Sequence, residues 1–258
     1  MAKVAILVPH LDAQEQMLRL SKQYSHIDPI CVAYVRTDEI EAKALELEGQ
    51  GCELIIARGV QASIVGHAVK VPLVEIRVTA QELGAVILDL KRELAVEHPR
   101  LALIGFANMM CDTTQFNDLF SVDLQTYLVD GSEELTLAVQ QAFRQGCLAV
   151  IGGSIVCQYA GNLGMPFRFI PFGVESMTNA LGIASRIAYA LDLENHNSAE
   201  MDAMLNHTFS GIMSVDREGI IRRVNRAGYD MLRQPPDQLL GKPVRQVLPN
   251  LSGELLED

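Results

Sequence analysis

Short apolar runs alternate along this chain with longer segments whose apolar positions recur every three or four residues. Val4-Ala5-Ile6-Leu7-Val8 is such a run and ends at Pro9-His10; it reads as a strand buried on both faces. Helical spacing follows from Gln14 to Tyr24, then a strand at Ile30–Tyr34 and an acidic helix at Asp38–Glu48, stopped by Gly49. Leu54–Ala57 and Leu73–Ile76 read as the third and fourth strands, with a helix between them through Val69. Ala80–Glu97 is a longer helix. After Pro99 the pattern restarts: a strand at Arg100–Gly105, a helix near Gln115–Phe120, a strand around Leu124–Leu128, a helix at Glu133–Arg144, and strands at Leu148–Ile151 and Phe167–Pro171. Strands alternating with helices of this length predict parallel βαβ units.

The restart is a repeat. Gln50-Gly51-Cys52 opens an apolar run that closes at Arg58-Gly59, and Gln145-Gly146-Cys147 opens one that closes at Gly152-Gly153-Ser154. Each copy continues through a helix to a proline (Pro72, Pro166) and another apolar run, and the first strands of the two halves are spaced almost as the two copies are. The predicted fold is therefore α/β: two tandem Rossmann- or flavodoxin-like lobes with parallel sheets and an inter-lobe cleft, similar in plan to periplasmic binding proteins. Lobe one spans about 1–78 and lobe two about 99–172. A helix at 176–193, with its apolar stripe Met177, Leu181, Ala184, Ala188, Leu191, is expected to pack back on lobe one, closing a domain over 1–198.

Residues 199–258 differ in pattern. After the polar stretch Glu194–Ser198, a linker helix at Ala199–Phe209 leads to a hairpin over Ile212–Asn225 whose turn is Asp216–Gly219, then a short helix at Ala227–Leu232. This is a partial α+β segment, and a two-stranded hairpin is marginal alone, so further strands are expected beyond Asp258.

Composition narrows the function classes. Net charge is −11, which gives this chain no electrostatic basis for holding nucleic acid or an anionic membrane. Five cysteines without metal-type spacing fit reduced thiols and a cytoplasmic location, and neither a metal nor a cofactor is expected. No apolar run approaches membrane-spanning length.

Ligands of open α/β sheets sit beyond the carboxyl ends of the strands, where helix N-termini favour anions. The turns at Pro9-His10, Arg58-Gly59, Gly105–Met109 and Gly152–Ser154 qualify, and the second and fourth are expected to face each other across the cleft. Arg58 either grips a carboxylate or closes a structural ion pair. Gly59, Gly152 and Gly153 leave backbone room for a ligand, or merely permit tight turns. Ser63 and Ser154 offer hydroxyl donors, although both suit helix caps and Ser63 fits that role better. Gly105 and Phe106 would wall the cleft and Asn108 donate into it, or serve as packing and turn residues. His10 reads more readily as a loop histidine, and Glu75 as the structural partner of Arg77 or Arg58. An enzyme alternative rests on Cys111 and Cys157, because two-lobed racemases of the aspartate/glutamate type use one thiol from each lobe. Here both thiols fall in lobe two, and buried structural cysteines are the better reading.

The segments Ile55–Gly59, Val71–Ile76, Leu103–Met109 and Val150–Ser154, in that order and spacing over roughly residues 2–190, resemble the N-terminal sensor domain of propionate-catabolism-type activators, the PrpR family of sigma-54-dependent regulators. Val215–Gly219 followed by Val224-Asn225-Arg226-Ala227 resembles the opening of a PAS domain. The resemblance implies a ligand-sensing, non-catalytic region of a transcription activator, binding a small organic-acid metabolite and acting as a homo-oligomer, most simply a dimer. A third reading is a dimerisation platform without ligand. Contact with sigma-54 RNA polymerase and DNA would come through an ATPase and a helix-turn-helix outside these residues, which contain no G-x-x-x-x-G-K-[ST] loop. Family members often carry Gly-Thr after the Arg-Gly turn, where this chain has Val60-Gln61.

Overall fold

The apolar runs of the tandem segment become two four-stranded parallel sheets of the same design. In lobe one, β1 (Ala2–Val8), β2 (Ile27–Tyr34), β3 (Leu54–Ala57) and β4 (Leu73–Glu75) lie in the order β2-β1-β3-β4. In lobe two, β5 (Arg100–Phe106), β6 (Asp123–Val129), β7 (Ala149–Gly152) and β8 (Phe167–Phe169) lie in the order β6-β5-β7-β8. The computed structural model describes residues 1–8 and 11–249, and the chain divides into the units Met1–Asp192 and Leu193–Asp258.

The central strands are apolar throughout because both faces are covered. Val4, Ile6 and Val8 enter one core while Ala5 and Leu7 enter another. Leu101 and Leu103 likewise separate from Ala102 and Ile104. The first face of lobe one carries α2 (Ile40–Gly49) and α3 (Gly59–Ala68). Its second face carries α1 (Leu11–Ser21) and the first half of α8 (Val174–Asn206), through Met177, Ala180, Leu181, Ala184 and Ala188. Lobe two has α6 (Ser132–Arg144) and α7 (Ser154–Asn162) on one face. Its other face holds α4 (Ala80–Leu94) and α5 (Phe116–Phe120). Each lobe thus borrows a helix from the chain that follows the other lobe's last strand.

The two crossovers meet where those helices begin. Glu82 forms a capping box with Thr79 at the start of α4, and its Oε1 also accepts from the Ser176 amide at the start of α8 (3.1 Å). Thr79 Oγ1 donates to Glu175 (2.7 Å). A carboxylate at two helix N-termini complements both macrodipoles.

The sequence repeat has a structural meaning at the amino ends of the strands. Gly51 (φ +83°) and Gly146 (φ +76°) adopt the left-handed conformation that ends α2 and α6. Cys52 and Cys147 then donate their amides to Leu47 and Ala142 (3.0 Å in both). The next amides, of Glu53 and Leu148, donate to the Lys3 and Arg100 carbonyls (2.8 Å in both), which registers β3 on β1 and β7 on β5.

In the second unit β9 (Met213–Val215) and β10 (Ile221–Val224) form an antiparallel hairpin. The Asp216 carboxylate accepts from the Glu218 and Ile220 amides, and Gly219 (φ +74°) completes the turn. Asn225 caps α9 (Arg226–Leu232) through Gly228 N (2.9 Å); α10 (Pro236–Leu239) and α11 (Val244–Val247) follow. One expectation changes: the sequence predicts a break at 194–198, but α8 runs for 33 residues to Asn206. Those residues are polar, yet none is glycine or proline, and polarity alone does not stop a helix.

The borrowed helix gives a direct test. Leu181→Ala, within the lobe-one core, is expected to cost about 3 kcal/mol in denaturant unfolding. Ile183→Ala, on the exposed side of the same helix, should cost less than about 1 kcal/mol.

Candidate functional site

In both sheets the strand order reverses direction between the first and third strands, so a crevice opens at their carboxyl ends. The two crevices face one another and enclose a cavity of about 740 Å³. Arg58, Gly59, Val60 and Gln61 line it from the start of α3, and Gly153, Ser154 and Ile155 from the start of α7. The second crossover contributes Ile170, Pro171 and Phe172, and lobe two adds Phe106 and Met109.

Arg58 dominates the electrostatics. It ends β3 and serves as N-cap residue of α3 in extended conformation, so its side chain leaves the sheet towards the cleft instead of entering either core. It is 6% exposed. Nη2 donates to the Pro171 carbonyl (2.7 Å), and the guanidinium lies 4.7 Å from the centre of the Phe172 ring. Nε is buried without a partner. Among the described residues no carboxylate forms an ion pair with Arg58. Burial pushes its pKa down to about 10, and the field of Glu82 only partly offsets this. The group stays cationic at neutral pH, buried, with the field of Glu82 near it but no direct ion pair among the described residues.

Gly59 is positioned by two constraints. Its φ of +55° suits glycine, and an added Cβ would meet Met109 Sδ at 3.2 Å and Phe106 Cδ2 at 3.5 Å. Lobe two therefore lies directly against the first residue of α3. Gly153, the N-cap of α7, has open space where a Cβ would be, and it and Ser154 are exposed to the cleft. The free amides of a helix's first turn suit an anion.

The remaining candidates are placed differently. Gly152 is required by packing: a Cβ there would meet Val156 at 2.2 Å. At Gly105 a Cβ would meet the side-chain ends of Met110 (Cε, 2.3 Å) and Ile170 (Cδ1, 3.2 Å). Neither lines the cavity. Asn108 spends its amide between the lobes: Nδ2 lies 3.0 Å from the Gly59 carbonyl, 3.2 Å from Ser63 Oγ and 3.0 Å from Glu75 Oε1. Ser63 is thus an interior residue of α3 that accepts from Asn108, not the cap its sequence context suggests, because Arg58 holds the N-cap position. Glu75 takes Asn108 as its partner, while Arg77 donates to the Met110 carbonyl (3.0 Å). His10 lies outside the described residues. Cys157 is buried, its Sγ lying 3.4 Å from both the Gly152 and the Arg168 carbonyls, either of which can accept its one hydrogen, and burial raises its pKa to about 11. Burial also raises that of Cys111, and neither thiol lines the cleft.

The sequence marks Gln61 only as a departure from the family pattern. It is 2% exposed, donates Nε2 to the Val35 carbonyl (2.7 Å) and keeps Oε1 buried without a partner. It holds the third position of α3, whose N-cap is Arg58, and lines the same cavity.

The sequence profile described as propionate catabolism activator matches residues 30–194, and the PAS fold profile matches 199–257. No curated protein matches the sequence. Among solved structures, an NtrC family transcriptional regulator from Clostridium acetobutylicum is 21% identical with a TM-score of 0.59, over 73% of this chain and 97% of that one. A putative LacI-family repressor from Corynebacterium glutamicum is 15% identical with a TM-score of 0.40, over 73% and 92%. A periplasmic solute binding protein from Actinobacillus succinogenes 130z, with bound D-allose, is 11% identical with a TM-score of 0.36, over 73% and 90%. The first of these shares the two-lobed fold.

A buried cation that makes no direct ion pair among the described residues is destabilising. Arg58→Met, which keeps the stem and removes the charge, is expected to leave the thermal unfolding midpoint of the ligand-free protein unchanged or raised. A loss of more than about 2 kcal/mol would instead make Arg58 a structural residue.

Proposed function

This chain belongs to the propionate catabolism activator family, and we propose that its two lobes sense a small anionic metabolite held between them and relay its presence to the PAS segment. The observation that carries this reading is Arg58, a buried guanidinium that lines the inter-lobe cleft, pairs with no carboxylate among the described residues and leaves Nε unsatisfied. A ligand carboxylate would supply the missing charge and hydrogen bond. The α3 and α7 N-termini would add their dipoles from opposite lobes.

A ligand shifts a two-state switch only by its differential affinity for the two states; going from 1:99 to 99:1 needs about 5.5 kcal/mol. A site shared by two lobes supplies such a difference, because only the closed arrangement contacts the ligand from both sides. The long helix α8, whose first half completes the lobe-one core, is the element through which a change in the lobes would reach the residues beyond it. In this reading, contact with sigma-54 polymerase and DNA belongs to other domains of the regulator.

Calorimetry against a panel of organic acids tests the reading. Binding without turnover is expected, and Arg58→Ala should weaken it by roughly ten- to a hundredfold, the worth of a charged hydrogen bond. An unchanged affinity would remove Arg58 from the site. Exchange of a substrate α-proton in deuterated water would replace the sensor with an enzyme. Affinity also has a defined pH dependence. The anion needs the guanidinium protonated, and burial has lowered its pKa from 12.5 to about 10. Binding should hold through neutral pH and decline as pH rises through about 10.

A further inference from the structure

Resting on the relay from the lobes to the PAS segment proposed above, we infer that Asn206 and Asn225 are its joint: two side-chain amides that fasten the end of α8 to the hairpin and to α9, so that a displacement of α8 is passed on to both.

The chemistry of helix ends sets where such a joint can form. The last carbonyls of one helix and the first amides of another have no partners within their own helices. Here α8 ends at Asn206 and α9 begins at Arg226, and each takes a partner from the other. Asn225, the N-cap residue of α9, places Nδ2 2.8 Å from the Leu205 carbonyl in the last turn of α8. Asn206 returns the bond: its Oδ1 accepts from the Arg226 amide (2.8 Å). The same Asn225 Nδ2 lies 2.9 Å from the Ser210 carbonyl and 3.0 Å from Thr208 Oγ1, in the stretch between α8 and the hairpin. Its Oδ1 accepts from the Gly228 amide (2.9 Å) and from the amide of Ile212 (2.8 Å), the residue before β9. One side chain thus holds α8, the start of β9 and α9 together.

Burial makes the joint stiff. Asn225 is 5% exposed, and it is the one buried polar side chain of the second unit among the described residues. Pulling α8 away would leave its amide out of water without partners, which costs far more than losing an exposed contact. A further tie from α8 to the hairpin, Asp202 to Arg223 (3.4 Å), is exposed and contributes little. No residue of α8 beyond Ala188 is buried, so this half of the helix is held chiefly at its end. The residue type points the same way. Capping α9 needs only an acceptor, which Ser, Thr or Asp supplies as well. The donor is what asparagine adds, and the acceptors around it all lie in residues 205–210.

Hydrogen exchange of the 258-residue chain, read by mass spectrometry, tests the joint through two substitutions. Asn225→Asp keeps the acceptor that caps α9 and removes the donor to α8. Ala199→Gly weakens α8 at an exposed position about two turns short of its end. With Asn225 in place, Ala199→Gly should speed exchange of the hairpin amides severalfold, to a ceiling of about fivefold. In the Asn225→Asp background it should leave them unchanged. Asn225→Asp by itself should speed exchange in the last turn of α8 while α9 keeps its protection. Asn206→Ala takes the place of Asn225→Asp if that variant does not fold. Hairpin exchange that ignores Ala199→Gly, or that responds equally in both backgrounds, overturns the joint, because a purely local role for Asn225 leaves the two substitutions independent. No ligand enters the measurement, so its failure removes the joint and leaves acid sensing intact, whereas absent acid binding removes the sensor and leaves the coupling of α8 to the hairpin.

Discussion

Neither sheet of the sensor unit can cover both of its faces with the helices of its own lobe. Lobe one takes the first half of α8, which follows lobe two, and lobe two takes α4, which follows lobe one. The exchange forces two connections to run side by side, and Glu82 sits at their meeting point, with hydrogen bonds at the start of both helices. The site depends on this arrangement. Pro171 and Phe172, which hold and cover the Arg58 guanidinium, belong to the second connection and not to the lobe that carries Arg58. A change in how the connections run is therefore felt at the buried Arg58 guanidinium.

That charge explains the division of labour around the cleft. Lobe one carries Arg58 and Gln61, each with a buried polar atom unsatisfied; lobe two brings Asn108, whose Oδ1 is also buried and unsatisfied, together with apolar walls and the exposed start of α7. The lobes are tied beside the site by Asn108, whose amide has two hydrogens for three nearby acceptors. Unsatisfied groups of this kind persist where something other than stability keeps them.

The fold was legible because its signals are local. Gln-Gly-Cys announces a helix end, a left-handed glycine and a buried strand in one short stretch, and both copies form that structure, with β3 at Leu54–Ala57. The hairpin turn at Asp216–Gly219 was equally readable, from a carboxylate and a glycine at fixed offsets. The cleft was legible only in part. Sequence marks the turns at Arg58-Gly59 and Gly153-Ser154, since strand ends and glycines are visible in it. It does not show that Gly105 and Gly152 make room for Met110 and Val156, or that Asn108 faces the other lobe, because those facts depend on residues brought together by tertiary packing. Nothing local in the sequence sets Gln61 apart, because a glutamine on a helix is ordinary until its burial is known.

The helix exchange also bears on the order in which the chain acquires structure. Lobe one leaves the ribosome first, yet its core lacks Met177, Leu181 and Ala184 until α8 has been made. Lobe two has every helix of its two faces between residues 80 and 162, contiguous with its own strands. Its contacts are the shorter in sequence, and contacts of low sequence separation form sooner. The second lobe synthesised is thus the first able to close its core. The earlier one waits, with the Arg58 turn already made but its Pro171 and Phe172 partners not yet translated.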